Sequence, residues 1–204
     1  MAPAAANRYA RTIAPTCRAM PATIQLTLPA WIETEVDTDR LHADDEAKIE
    51  LAIRLARRNI AENSGGPFGA AIFDGDGRVV AAAVNRVLPG LCSVAHAEMM
   101  AFMLAQSRLQ RARLNEDGNR YVLATSAQPC CQCYGASFWA GIDELLIGAR
   151  SSDVMELSEF DEGPLPADWI GELEKRGIGV RRDILRDEAR DVFRLYAAAG
   201  GTRY

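Results

Sequence analysis

Two short stretches constrain the fold more than the rest of the chain: His96-Ala97-Glu98 and Pro129-Cys130-Cys131-Gln132-Cys133. One imidazole, one carboxylate and two thiols three positions apart act together only if both segments reach a single point. Cys130 and Cys133 share one side of a helical turn. Pro129 sits just before that predicted helix, and the positive end of the helix dipole favours thiolate at Cys130. His96 and Glu98 open a different predicted helix, whose first turn lets both side chains aim past its end. The fold must therefore set two helix starts face to face. A zinc ion held by one nitrogen and two sulfurs keeps a fourth position for water, as catalytic zinc sites do and closed structural ones do not. Such a centre generates hydroxide near neutral pH, and Glu98 is placed to move protons from that water to a substrate ring nitrogen and a departing amine.

Periodicity supplies the frame around this point. Ile49, Ile53, Ala56 and Ile60 recur at helical spacing, Asp44 or Asp45 can cap the start, and Asn63-Ser64-Gly65-Gly66 ends the helix. Residues 67–73 and 78–85 are predicted strands joined by Asp74-Gly75-Asp76-Gly77, which makes a hairpin. After the break at Pro89-Gly90 come a helix over 96–109, a buried strand at 121–124, a helix from Cys130 to Gly141 and a strand over 144–149. A polar stretch at 153–159, a short helix over 169–176, a strand over 180–185 and a helix over 187–198 complete the order. Strands separated by helices predict one α/β domain over residues 31–204, with parallel pairings beyond the opening hairpin.

Composition narrows the class. With 49% hydrophobic and 25% charged residues, the 204-residue chain suits a soluble globular core. A net charge of -5 offers no electrostatic footprint for nucleic acid, and no apolar run is long enough to cross a bilayer. Five cysteines, three of them within 130–133, make a poor disulfide framework and a good metal pattern, which favours a reducing cytoplasm. Residues 1–30 read as a loose N-terminal extension. Up to Met20 they are rich in Ala, Pro and Thr, with Arg8, Arg11 and Arg18 and no acidic residue. That composition suits a disordered tail or an over-long reading frame whose true start is Met20, with a transit peptide as the competing reading. Residues 24–31 look ordered enough to pack against something. His42 reads as a surface histidine, Cys131 as a residue that packs or lines a pocket wall, and Cys17 as part of the tail.

Alone, His-x-Glu or Cys-x-x-Cys carries little information. In order, after a Pro/Gly break and after a strand and a loop, the two make the pattern of zinc deaminases. A structural zinc would need a fourth protein ligand, and Cys131 and Cys92 are not at convincing spacing.

From about Asp45 to Tyr204 the sequence resembles the cytidine and deoxycytidylate deaminase superfamily, and within it the bacterial guanine deaminases. The resemblance rests on Gly65-Gly66-Pro67-Phe68-Gly69-Ala70-Ala71, Asn85, His96-Ala97-Glu98-Met99, Pro129-Cys130-Cys131-Gln132-Cys133, Phe138-Trp139-Ala140 and Phe160-Asp161-Glu162-Gly163-Pro164. It is similar in particular to a proteobacterial subgroup in which triazines related to ammeline are also accepted. The resemblance implies a cytidine deaminase-like three-layer α/β/α fold with a mixed central sheet of about five strands. It implies one zinc per subunit on His96, Cys130 and Cys133, Glu98 as proton shuttle, and Glu162, or Asp161 beside it, as a second catalytic carboxylate. It places Asn85, Phe68, Ala97, Trp139 and Tyr204 around a free base, and it implies a homodimer whose C-terminal segment is exchanged so that Tyr204 caps the partner's pocket.

On the residues alone, Asp161-Glu162 is equally a solvated loop, Trp139 a core residue, Asn85 a strand end and Tyr204 a frayed terminus. Gln128 is a departure, since many members carry Glu before Pro-Cys, and it alters the hydrogen bonding around the site. The expectation is zinc-dependent hydrolytic deamination of a free purine, guanine to xanthine and ammonia. Its competitors are a deaminase of cytosine, guanosine, a pterin or an s-triazine, a tRNA adenosine deaminase, which would need basic surface for RNA, and a non-catalytic zinc-stabilised scaffold.

Overall fold

Strands that are apolar on both sides must be covered on both sides. In the computed structural model, which describes residues 23–204, four such strands and one short, largely exposed edge strand form one sheet: β1 (Gly69–Asp74), β2 (Val79–Val84), β3 (Tyr121–Ala127), β4 (Glu144–Ala149) and, at the edge, β5 (Gly179–Arg181). Their order is β2-β1-β3-β4-β5. β1 runs antiparallel to β2 and β3, and β4 runs parallel to β3 and β5. The pleat sends Ala71, Phe73, Val122, Ala124 and Leu146 to one face and Ala70, Ile72, Leu123, Leu145 and Ile147 to the other. Met20, Cys17 and the reading-frame question lie outside the described residues.

Helices cover both faces. α1 (Ile32–Glu35), α2 (Asp45–Ala61), α6 (Ser151–Ser158) and α8 (Arg186–Ala198) pack on the first; α4 (Ala97–Leu109), α5 (Cys131–Ala140) and α7 (Trp169–Glu174) pack on the second. One further turn, α3 (Val87–Gly90), follows β2. The expected three-layer arrangement and the mixed five-stranded sheet are both present. Asp44 caps α2 by accepting from the Ala47 N–H at 2.8 Å, and Asp45 and Glu46 follow in the first turn, where the dipole favours acids. Among the described residues no helix is long and apolar enough to cross a membrane.

Several local expectations need correction. The polar stretch at 153–159 is helix α6, because its anchor is a buried charge rather than an apolar stripe. Asp153 is 1% exposed; it accepts from the Arg150 N–H at 2.9 Å and from Arg186 Nε and Nη2 at 2.8 and 2.7 Å, and also pairs with Arg190. The last strand ends at Arg181 rather than running to residue 185, since Asp183 and Leu185 take left-handed backbone that leaves the sheet. His42 is not on the surface: it is 3% exposed and meets Phe73 edge-on at 5.1 Å. Its backbone N–H donates to Gly77 O at 2.9 Å across the hairpin turn. Gly77 has φ +86°, and a Cβ there would stand 2.5 Å from His42 O, so the turn needs glycine to let this segment close on it. Leu26 and Leu28 pack against the core, as expected for residues 24–31.

Arg186 holds the Asp153 carboxyl down to about 2 against the opposing effect of burial. A folded value below the unfolded one means that this stabilisation is complete above the ordinary aspartate range and is lost as the pH falls towards 2. Asp153→Asn is expected to cost about 2 kcal/mol in denaturant unfolding at pH 7 and to flatten the acid limb of the stability profile. Unchanged stability would remove the α6–α8 ion cluster from the account of the fold.

Candidate active site

Both helix starts meet at the C-terminal end of β3. His96 is the N-cap of α4 and Cys130 the N-cap of α5, each with extended backbone, and Cys133 follows within the first turn of α5. His96 Nδ1 lies 3.4 Å from Cys130 Sγ and 3.7 Å from Cys133 Sγ. The three ligand atoms all fall within 4.8 Å of one another. Glu98, the second residue of α4, is 5% exposed and accepts from Thr125 Oγ1 of β3 at 3.3 Å.

These groups open into a cavity of about 220 Å³, whose wall includes Phe68, Asn85, Gln128, Phe160, Glu162 and Tyr204. The loop with Glu162 is tied down by the start of α5, where an unpaired helical N–H needs an acceptor: Cys131 N donates to Glu162 O at 3.0 Å. Gly163 turns at φ +67°, and a Cβ on it would stand 2.6 Å from Cys131 Sγ. Asp161 caps this turn by accepting from the Gly163 N–H at 2.9 Å and stays exposed, while Glu162 is buried. Asn85, at the end of β2, accepts from the Val87 N–H at 3.1 Å through Oδ1, and among the described residues no acceptor meets its side-chain N–H groups. The Tyr204 ring packs on Phe160 at 4.9 Å with its hydroxyl over Gly66, where a Cβ would come within 1.9 Å of that oxygen.

The sequence profile of the cytidine and deoxycytidylate deaminase zinc-binding region matches residues 42–149, which contain both helix starts. The chain belongs to the cytidine and deoxycytidylate deaminase family. The guanine deaminase of Bacillus subtilis (strain 168) is 33% identical over 133 residues, 65% of this chain and 81% of that protein. The solved guanine deaminase from Nitrosomonas europaea superposes with a TM-score of 0.83 at 43% identity, covering 88% of this chain and 99% of that one. A variant of the protein NE0047 in complex with 8-azaguanine gives a TM-score of 0.82 at 43% identity, with 88% and 99% covered.

For a zinc deaminase the donor set is the right size. Zinc bonds of about 2.0–2.1 Å to nitrogen and about 2.3 Å to sulfur, at tetrahedral angles, set nitrogen and sulfur about 3.5 Å apart. The 3.4 and 3.7 Å separations bracket that value. The hydrogen bond from Cys133 draws the Cys130 thiol down to about 4 despite burial, whereas the same shared bond, with burial, pushes Cys133 far up. Burial opposes charge on His96, but the Cys130 sulfur and Glu98 carry the ring above its ordinary value. Burial, then the Cys130 sulfur, raises the Glu98 carboxyl, and burial with Cys130 and Glu98 pushes Glu162 up to about 8. These crowded acids hold one another back from ionising, a conflict that a divalent cation would relieve, and a coordinated thiol is deprotonated outright.

Of the residues singled out in the sequence, His96, Glu98, Cys130, Asn85, Phe68, Asp161, Glu162 and Tyr204 all border this cavity, and Cys133 lies beneath it. Ala97 and Trp139 do not. Ala97 is fully buried in the apolar layer under α4. Trp139 is 75% exposed, neither core nor wall; it sits at the far end of α5, about 12 Å along the helix from Cys131 at about 1.5 Å per residue. Cys131 is exposed and offers the site its backbone N–H rather than its sulfur. The Tyr204 in the cavity belongs to the same chain. Sequence reasoning missed Ser93, whose exposed loop has no pattern, and Asn59, a carboxamide on the buried face of α2. Only its place among apolar positions marks Asn59 out.

Cys133→Ser is expected to leave the far-ultraviolet dichroism intact and to cut the zinc retained after dialysis at least about tenfold, measured by elemental analysis. Retention of a full complement would exclude Cys133 as a ligand.

Proposed function

We propose that this deaminase converts guanine to xanthine and ammonia. The observation that carries the reading is Glu162, a buried carboxyl bordering the same small cavity as Glu98 and Asn85. Guanine presents ring N–H and amino donors along one edge, which suit a carboxylate, and oxygen and nitrogen acceptors elsewhere, which suit the unpaired N–H groups of Asn85. The guanine deaminases among its relatives, and the purine analogue bound by one of its neighbours, support this choice.

His96, Cys130 and Cys133 hold one zinc per subunit, which supplies a Lewis acid that makes water a nucleophile near neutral pH. Glu98, oriented by Thr125, takes a proton from the attacking water and delivers it to the ring nitrogen next to the carbon under attack. Glu162 accepts the donor edge of the base. As the carbon–nitrogen bond breaks, Glu98 takes the proton left on the newly added hydroxyl and passes it to the departing amine, so the two protons of water end on the ring nitrogen and on ammonia and both carboxylates are restored. Burial raises both carboxyls, which suits groups that must receive and return a proton. Phe68 and Tyr204, backed by Phe160, flank the ring and exclude bulk water. Asp161, occupied by its own turn, is the alternative carboxylate should Glu162 prove silent.

We further propose a cytoplasmic homodimer. The free thiols of Cys92, Cys130, Cys131 and Cys133 fit a reducing compartment. Trp139, Met103 and Leu104 are large apolar side chains left in solvent on α4 and α5, and a second copy would cover them. In such a dimer the tail ending in Tyr204 closes either the cavity of its own chain or, if exchanged, that of its partner.

A panel of guanine, cytosine, guanosine, a pterin and ammeline, followed by ammonia release, is expected to give the highest kcat/KM on guanine; turnover of a pyrimidine with none of guanine would overturn the reading. Glu98→Gln and Glu162→Gln are each expected to lower guanine turnover at least about a hundredfold with zinc content unchanged, and wild-type turnover in either removes that residue from the mechanism. Removing Tyr204 is expected to raise KM at least about fivefold while sedimentation still reports a dimer. Trp139→Lys is expected to shift that species to monomer. A monomeric wild-type chain contradicts the assembly.

A further inference from the structure

We infer that Asn59 is a positioning residue that sets the base-recognising wall of the cavity. Asn59 lies in the last turn of α2, fully buried. Its Nδ2 donates to Gly66 O at 2.8 Å and to Asn85 O at 3.0 Å. Its Oδ1 accepts from Ser64 Oγ at 2.7 Å. One amide nitrogen carries two hydrogens, so both donations hold at once. The Ser64 hydroxyl also receives Trp31 Nε1 at 3.1 Å, which leaves its own hydrogen for Asn59 and fixes which way round the carboxamide sits.

The two carbonyls that Asn59 grips belong to the two segments that build the wall. Gly66 O also accepts from Phe68 N at 2.9 Å, and Asn85 N donates to Phe68 O at 3.1 Å. Asn59 thereby closes a ring of hydrogen bonds through Gly66, Phe68 and Asn85. The packing within the ring leaves no slack. A Cβ on Gly65 would stand 1.9 Å from Asn85 O and 2.7 Å from Asn59 Nδ2. The Asn85 carboxamide, the Phe68 ring and the Gly66 seat under the Tyr204 hydroxyl are consequently held in one frame by a side chain that touches no substrate. Recognition of a flat base depends on such a frame, since displacements of about 1 Å in positioning groups cost large factors in rate or binding.

This inference rests on the proposed role of Asn85 at the edge of the base. Its test is therefore read on whichever base of the panel the wild-type enzyme turns over fastest. A wild-type chain inert toward guanine would sink the substrate reading but would leave the comparison of variants on the other base intact. Asn59→Asp keeps the shape of the side chain and replaces both donors by lone pairs facing carbonyls. It is expected to raise KM at least about tenfold with kcat changed less than about threefold, the pattern of lost binding that is common to ground and transition states. Zinc content is expected to stay at the wild-type level. Ile49→Ala, a cavity in the first turns of the same helix and about 15 Å along it from Asn59 at about 1.5 Å per residue, is the control: Ile49 is fully buried, and the variant is expected to lower the melting temperature and leave KM within about twofold. Ser64→Ala frees the carboxamide to turn without removing its donors; it is expected to raise KM about threefold and serves if Asn59→Asp does not fold. Wild-type KM in Asn59→Asp, or in Ser64→Ala where the first does not fold, overturns the inference. So does a KM rise in Ile49→Ala equal to that in Asn59→Asp.

Discussion

The structure turns on the meeting of two helix N-termini at the end of a central strand. β3 delivers Thr125 and, after Gln128-Pro129, the start of α5; the crossing segment after β2 delivers His96 and the start of α4. Because His96 and Cys130, two of the three residues that could hold a metal, are N-caps, their side chains point beyond the helices into the gap between them. The unpaired N–H groups at such ends favour negative charge, which suits thiolate and carboxylate alike. A metal centre built this way needs no loop of its own. It inherits its rigidity from the sheet.

The second carboxyl enters the site by the same rule. One of the exposed N–H groups at the start of α5, that of Cys131, finds its acceptor in the backbone of Glu162. This bond, with the glycine turn at Gly163, directs Glu162 inward and leaves Asp161 to cap the turn. The loop continues into Phe160, which stacks on Tyr196 at 6.1 Å and packs on Tyr204. Helices α6 and α8, clamped by Asp153 against Arg186 and Arg190, hold both ends of this assembly. A buried ion cluster on one face of the sheet thus supports the polar contacts of the cavity at its end, and the hydrogen-bond ring around Asn59 supports the opposite wall.

What could be read in advance follows the range of the interactions involved. The short apolar run of β1, the helical period of α2 and the punctuation at Gly65-Gly66 and Gly75 to Gly77 are local signals, and each produced its element within a few residues. The zinc motif was legible because helix starts are themselves local, so that spacing alone showed which atoms share a face. α6 was not legible, since it buries one apolar side chain, Val154, beside an aspartate, Asp153, whose arginine partners come from α8, more than thirty positions later. His42 looked exposed because a charged neighbourhood says nothing of a bridge to a distant turn. Trp139 looked like a pocket wall by resemblance, but its position at the end of α5 opposite the site points it into solvent.

By itself, then, the sequence determined the family, the layered α/β frame and the donor set for a metal, because these depend on contacts within a turn or a strand. Tertiary structure alone decided that Glu162 is buried in the cavity wall while Asp161 stays exposed, that Tyr204 reaches Gly66, and that Asn59 binds Gly66 and Asn85 together. Each of those outcomes depends on a hydrogen bond or a close approach between segments far apart in the chain. No periodicity encodes such contacts, and they exist only once the sheet has set the distances.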